Sequence, residues 1–157
     1  MEEFQKLTDL LKQKNLKITA AESCTGGLFC ASLVEIASVS AVFDRGFVTY
    51  SEESKCTLVG VPPKTIRDYG VVSEKTAAAM AKGAAAAAGA DVGVGITGFA
   101  GPSGGDKFAC VGTVCVAVWY RGHIKTFCNV YKNRERNAIR FDTVRFACKK
   151  TIEMLEE

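Results

Sequence analysis

Residues 73–90 read SEKTAAAMAKGAAAAAGA and run directly into DVGVGI. The first stretch has the length and propensity of one long helix, with Ser73 as its N-cap. Alanine side chains bury little area each, so such a helix belongs close against a sheet rather than out in water. The strand that follows is rich in glycine, and close packing accounts for Gly93 and Gly95. Strands alternating with helices and then a hairpin indicate a layered α/β domain.

The remaining pattern fills in the layers. Phe4, Leu7, Leu10 and Leu11 share one helical face, which predicts a first helix over 2–14. LKITAA reads as a strand and GGLFCASLVEIA as an apolar helix opening at Gly26 and Gly27. GFVTY, residues 46–50, is a second strand, Ser51 caps a short helix through Leu58, and VPPKTIRDYG is another ending at Gly70. After the third strand comes the loop TGFAGPSGGDKFA, then VGTVCVAVWY and HIKTFCNVY around the hairpin signal RGH. NRERNAIRFDTVRFACKKTIEML closes as an amphipathic helix. The expected fold is a three-layer α/β/α single domain over 1–157, with a mixed, mostly parallel sheet and a C-terminal β-hairpin plus helix.

At 157 residues and a net charge of +3, the chain has room for a real core and no basic footprint for nucleic acid. No apolar run reaches the roughly 18 residues of a membrane span, and the N-terminus lacks a signal-peptide core. The seven cysteines form no C-x-x-C pair and several lie in apolar stretches. Buried free thiols in a reduced, cytoplasmic protein are therefore expected. With a single histidine, His123, in an apparent hairpin turn, neither a structural metal nor a Ser-His-Asp triad is expected.

Two glycine patterns invite misreading. GVGITG fits G-x-G-x-x-G, but the dinucleotide fingerprint must open a helix, and FAGPSGG follows instead. GPSGGDK lacks the Gly-Lys-Ser/Thr of a P-loop, although Gly104 and Gly105 could still form an anion nest. A third segment, AAESCTGG, closes the first strand with more chemistry than a turn requires. Its Thr25, Gly26 and Gly27 begin a helix, which offers backbone N–H groups to an anion. Without a usable histidine, the common way to activate a serine is a lysine held neutral by burial. SVSAVFDRGFVTYSEESK supplies serines at 38, 40, 51 and 54, Tyr50 at a strand end and Lys55 one turn into a helix. Spacing alone does not choose among the serines. Cys24 is a nucleophile on paper, but no partner base is evident and packing is the simpler role.

TAAESCTGG, FDRGFVTYSEESK, GITGFAGPSGG and VGTV, in this order and spacing, resemble the C-terminal domain family of CinA, whose stand-alone members are nicotinamide-nucleotide amidohydrolases. The resemblance runs from about residue 4 to 155. It implies hydrolysis of nicotinamide mononucleotide to nicotinic acid mononucleotide and ammonia, through a serine–lysine dyad and an acyl-enzyme, with no metal or cofactor. It also implies Ser40 as nucleophile, Lys55 as base and Tyr50 as the group orienting the lysine. Ser23, Thr97 and Gly98 would line the reactive end. Arg140 or Arg136, with Thr25, Gly26, Gly27, Gly104 and Gly105, would hold the phosphate. Relatives self-associate, so a homo-oligomer is expected, with no nucleic-acid or membrane partner. The block carrying Ser40 departs from the family's G-S-S, reading Ser38-Val39-Ser40. The same residues would also suit a nucleotide-binding module of a larger assembly, or an amidase for another small anionic amide.

Overall fold

In the computed structural model, which describes residues 1–157, the alanine helix and the glycine strand pack directly together. Helix α5 (Glu74–Ala88) lies on strand β3 (Val92–Gly98). A Cβ at Gly93 would come within 2.1 Å of the Ala81 carbonyl oxygen, and one at Gly95 within 2.2 Å of the Ala77 oxygen. Such separations are impossible for real side chains, so only glycine admits the helix at this distance. The intervening residues Val92, Val94 and Ile96 point the other way, into the main core.

Before these come α1 (Glu2–Gln13), β1 (Ile18–Glu22), α2 (Leu28–Val34), a 3-10 turn at Val39–Ala41, β2 (Phe47–Val48), α3 (Glu52–Val59) and α4 (Pro63–Tyr69). After them come β4 (Thr113–Tyr120), β5 (His123–Val130) and α6 (Arg136–Glu156). One sheet results, in the order β2-β1-β3-β4-β5. β1 is parallel to both β2 and β3, while β3–β4 and β4–β5 are antiparallel. All strands but β4 therefore run the same way, and their C-terminal ends gather at one rim.

The larger core lies under α1, α2 and α6, where Phe4, Leu7, Phe29, Leu33, Val144 and Leu155 meet the sheet. The opposite face is covered by α5, with α3 and α4 beside it, through Ala21, Val59, Ile66 and Met80. The central strands β1 and β3 are buried on both faces. That placement explains their unbroken apolar character. No helix is long and apolar enough to cross a membrane.

The expectation that all seven cysteines are free thiols is corrected. β4–β5 pairing sets Cys115 directly opposite Cys128, with Cα atoms 4.2 Å apart, and the two are joined as a disulfide. Cys24, Cys30, Cys56, Cys110 and Cys148 remain free. Sequence reading missed the pair because the register of two strands, not their spacing along the chain, brings the sulfurs together.

The α5–β3 contact makes a direct prediction. Gly95→Ala should lower the urea midpoint, destabilising the fold by about 3 kcal/mol, since the backbone on both sides must move to admit one methyl group.

Candidate active site

β1 ends at Glu22, and the turn that follows is held by backbone bonds to both neighbouring strands. The Ser23 N–H donates to the Ile96 oxygen at 2.9 Å, and the Thr49 N–H donates to the Glu22 oxygen at 2.7 Å. Gly26 and Gly27 then take positive φ values of 59° and 96°. Two left-handed residues in succession turn the strand straight into α2, a conformation that costs glycine little.

The Glu22 side chain, fully buried, bends back under this turn. Its two carboxylate oxygens accept the N–H groups of Phe29 and Cys30 at 3.0 and 2.9 Å. The open donors at the start of α2 are thus satisfied from within the protein. The Gly26 N–H is also engaged, with the Ser23 oxygen at 3.0 Å. The anion cradle expected at Thr25, Gly26 and Gly27 is narrowed accordingly: Glu22 takes the Phe29 and Cys30 donors and Ser23 the Gly26 N–H, while the Thr25 and Gly27 N–H groups bond to no other residue. The signal for this was on the page, in an acid six residues before an apolar helix.

α3 begins with a capping box in which Ser51 and Ser54 exchange side-chain and backbone hydrogen bonds. This fixes the first turn and points Lys55 inward, where it is 0% exposed. Its Nζ donates to the Ser23 Oγ at 3.0 Å and to the Thr49 carbonyl oxygen at 2.7 Å. No carboxylate faces the amine. Burial pulls the Lys55 pKa down from 10.5 to about 8, with Cys24, Glu52 and Cys56 acting weakly in the opposite direction. About a tenth of the lysine is therefore neutral at pH 7 and about half at pH 8, against almost none for an exposed lysine.

Lys55 and Ser23 open into a pocket of about 260 Å³, lined also by Cys24, Tyr50, Val71, Val72, Thr97, Gly98, Phe99, Ala100, Ser103 and Arg136. The sequence-derived candidates sort against it as follows. Ser23, Lys55, Tyr50, Thr97, Gly98 and Arg136 converge there, as the resemblance implies. Ser40 does not. It lies exposed on the 3-10 turn, where the adjoining Ala41 and Val42 carbonyls bond to Lys17 and Ile18 at the start of β1. The whole strand β1, roughly 16 Å, separates it from the pocket. The serine that reaches Lys55 is Ser23.

Tyr50 and Thr97 also differ from their expected roles. The Tyr50 side chain is 62% exposed, and its hydroxyl accepts from Arg136 Nη2 at 3.0 Å rather than meeting Lys55. The Thr49 carbonyl orients the amine instead. The Thr97 hydroxyl donates to the Val71 oxygen at 2.8 Å, which leaves its lone pairs, not its proton, facing the pocket. Gly104 and Gly105 are exposed, and neither lines the pocket. Cys24 is buried, and desolvation raises its pKa to about 11 despite a nearby Arg136. It stays a thiol at neutral pH and serves packing. No three His, Cys, Asp or Glu side chains gather in a cluster that could hold a metal.

A serine just past the end of a central strand is thus hydrogen-bonded by a buried lysine from α3, at one rim of an α/β sheet. The model of the CinA C-terminal domain matches residues 2–155, and the chain belongs to that family. A CinA-like protein of Kosmotoga olearia is 42% identical over 141 residues, 90% of this chain and 34% of its own length. One from Colwellia psychrerythraea is 47% identical over 118 residues, 75% of this chain and 27% of its own. The chain spans about a third of the length of the curated relatives it matches. Among solved structures, a CinA superfamily protein from Klebsiella pneumoniae superposes with a TM-score of 0.94 at 35% identity, covering 99% of this chain and 96% of that one. CihA from Agrobacterium tumefaciens gives 0.89 at 39% identity, with the same coverage.

The buried lysine leaves a thermodynamic trace. The folded chain favours the neutral amine, while the unfolded chain keeps its proton up to 10.5, so between about 8 and 10.5 the unfolded state binds more protons. Stability therefore rises with pH across that window, and the burial penalty is full below it. Relative to Lys55→Met, wild type should gain roughly 2–4 kcal/mol between pH 7.5 and 11, read from urea titrations of both proteins.

Proposed function

We propose that the chain is an amidohydrolase that hydrolyses the carboxamide of nicotinamide mononucleotide, releasing ammonia and nicotinic acid mononucleotide. The observation that carries this reading is the bond from buried Lys55 to Ser23 Oγ at 3.0 Å, with no carboxylate to keep the amine charged. Neutral Lys55 accepts the hydroxyl proton as Ser23 Oγ attacks the carboxamide carbon. The negative charge that develops on the carboxamide oxygen needs a donor fixed beforehand. The Cys24 N–H, next along the chain, donates to no other residue and adjoins the pocket. Lys55 then passes the proton to the departing nitrogen, which leaves as ammonia. Water, deprotonated by the same amine, releases the acid and restores Ser23.

A pocket of about 260 Å³ is smaller than the roughly 300–1,000 Å³ that encloses a drug-sized ligand. It suits the ring and carboxamide, with the ribose and phosphate at the rim. Arg136 stands at that rim and is the cation this reading assigns to the phosphate; it also donates to the Gly101 oxygen at 2.8 Å. The lone pairs of Thr97 would receive the carboxamide NH₂.

Ammonia release from nicotinamide mononucleotide by the purified protein tests the reading. Ser23→Ala and Lys55→Met should each lose at least about a thousandfold in kcat, whereas Ser40→Ala should stay within roughly twofold of wild type. kcat/KM should rise with pH to a plateau, with a midpoint near 8, because the free enzyme is competent only with Lys55 neutral. No release by a folded wild type, or a loss confined to Ser40→Ala, would overturn it.

A further inference from the structure

Helix α6 carries two arginines four residues apart, on one face, yet they reach different targets. Arg136 goes to the pocket rim. Arg140 passes beneath the Ser23 turn: its Nε donates to the Cys24 oxygen and its Nη2 to the Thr25 oxygen, both at 3.0 Å. Its Nη1 donates to Asn137 Oδ1 at 3.0 Å, so each nitrogen of the guanidinium has an acceptor inside the protein, two of them carbonyls of the turn. The sequence resemblance implied a phosphate contact for Arg140; these bonds point to a second role at the turn.

The two carbonyls it holds belong to a connected chain of peptide groups. The Thr25 oxygen and the Gly26 N–H share one rigid plane. That N–H donates to the Ser23 oxygen at 3.0 Å. The Ser23 oxygen in turn shares its plane with the Cys24 N–H, the free donor beside the Ser23 hydroxyl. From these contacts we infer that Arg140 is a positioning residue, orienting and polarising the Cys24 N–H through two peptide planes so that it meets the oxyanion formed at Ser23. The inference rests on the amidohydrolase reading of the site. A planar fork is needed to span two successive carbonyls, which lysine, a point charge, cannot do. Gly26 suits the same turn through its left-handed φ of +59°; a Cβ there would make only ordinary contact with Arg140 Nη2, at 3.6 Å.

The test compares wild type, Arg140→Ala and Arg140→Lys in two assays. The first measures ammonia release from nicotinamide mononucleotide and from nicotinamide riboside, which lacks the phosphate. The second follows labelling of Ser23 by a small fluorophosphonate across pH. There Ser23 Oγ bonds to phosphorus, fluoride leaves, Lys55 takes the proton, and the phosphoryl oxygen occupies the oxyanion position. Arg140→Ala should lower kcat about a hundredfold on both substrates and slow labelling comparably, the scale of losing one oxyanion donor. KM should stay within roughly twofold, and the pH midpoint of labelling should not move, because the surroundings of Lys55 are intact. Arg140→Lys should fall between the two.

A raised KM for the nucleotide alone, with kcat unchanged and the riboside unaffected, would make Arg140 a phosphate contact and overturn the proposal. So would an unchanged labelling rate in folded Arg140→Ala, or a midpoint displaced upward, which would indicate general loosening of the site. If wild type is labelled but releases no ammonia from either amide, the substrate reading fails by itself. In that case slower labelling of the variants still supports the positioning role, and equal labelling overturns it. A wild type inert to both overturns the dyad and this proposal together.

Discussion

The site depends on one costly placement: a lysine amine enclosed by protein with a hydroxyl and a carbonyl, but no carboxylate, for company. Burial of that kind penalises the charged form, and the fold tolerates it because α3 is fixed at both ends. The Ser51–Ser54 capping box sets its start, and Gly60 in a left-handed conformation closes it. With the helix rigid, Lys55 reaches only the floor of the pocket, and the Thr49 carbonyl accepts a hydrogen bond from its amine at 2.7 Å. The neutral amine is a consequence of local helix chemistry as much as of the pocket.

The same turn that presents Ser23 is braced from two sides by charged groups whose roles are easily confused with ligand binding. Glu22 satisfies the start of α2 from below, and Arg140 satisfies the carbonyls of the turn from α6. Both are charge-assisted bonds to backbone, stronger than neutral ones and directional. Within the strand-to-helix turn the N–H groups of Cys24, Thr25 and Gly27 bond to no other residue, and Cys24 is the one of the three that lines the pocket.

Several elements were legible in the sequence because their causes are local. The alanine helix, the closely packed glycine strand, the RGH hairpin, the Ser51 and Ser73 caps and the amphipathic face of α1 all follow from short-range chemistry. Lys55 read by itself was a surface lysine; the family resemblance, not its position, singled it out as the candidate base. The choice among serines was not legible. Ser40 and Ser23 lie at opposite ends of β1, and only the direction in which that strand joins the sheet brings one of them to Lys55.

The sequence by itself determined the α/β layering, the set of polar residues available to the site and membership of a recognisable family. Tertiary structure alone decided which serine meets the lysine, which arginine faces the pocket, and that Cys115 and Cys128 are joined. The physical reason is common to all three. Periodicity and capping are encoded within a few residues, whereas strand register and helix placement bring together groups dozens of positions apart. Lys55 and Ser23, 32 residues distant, are hydrogen-bonded only because β1, β2 and α3 pack at one rim of the sheet.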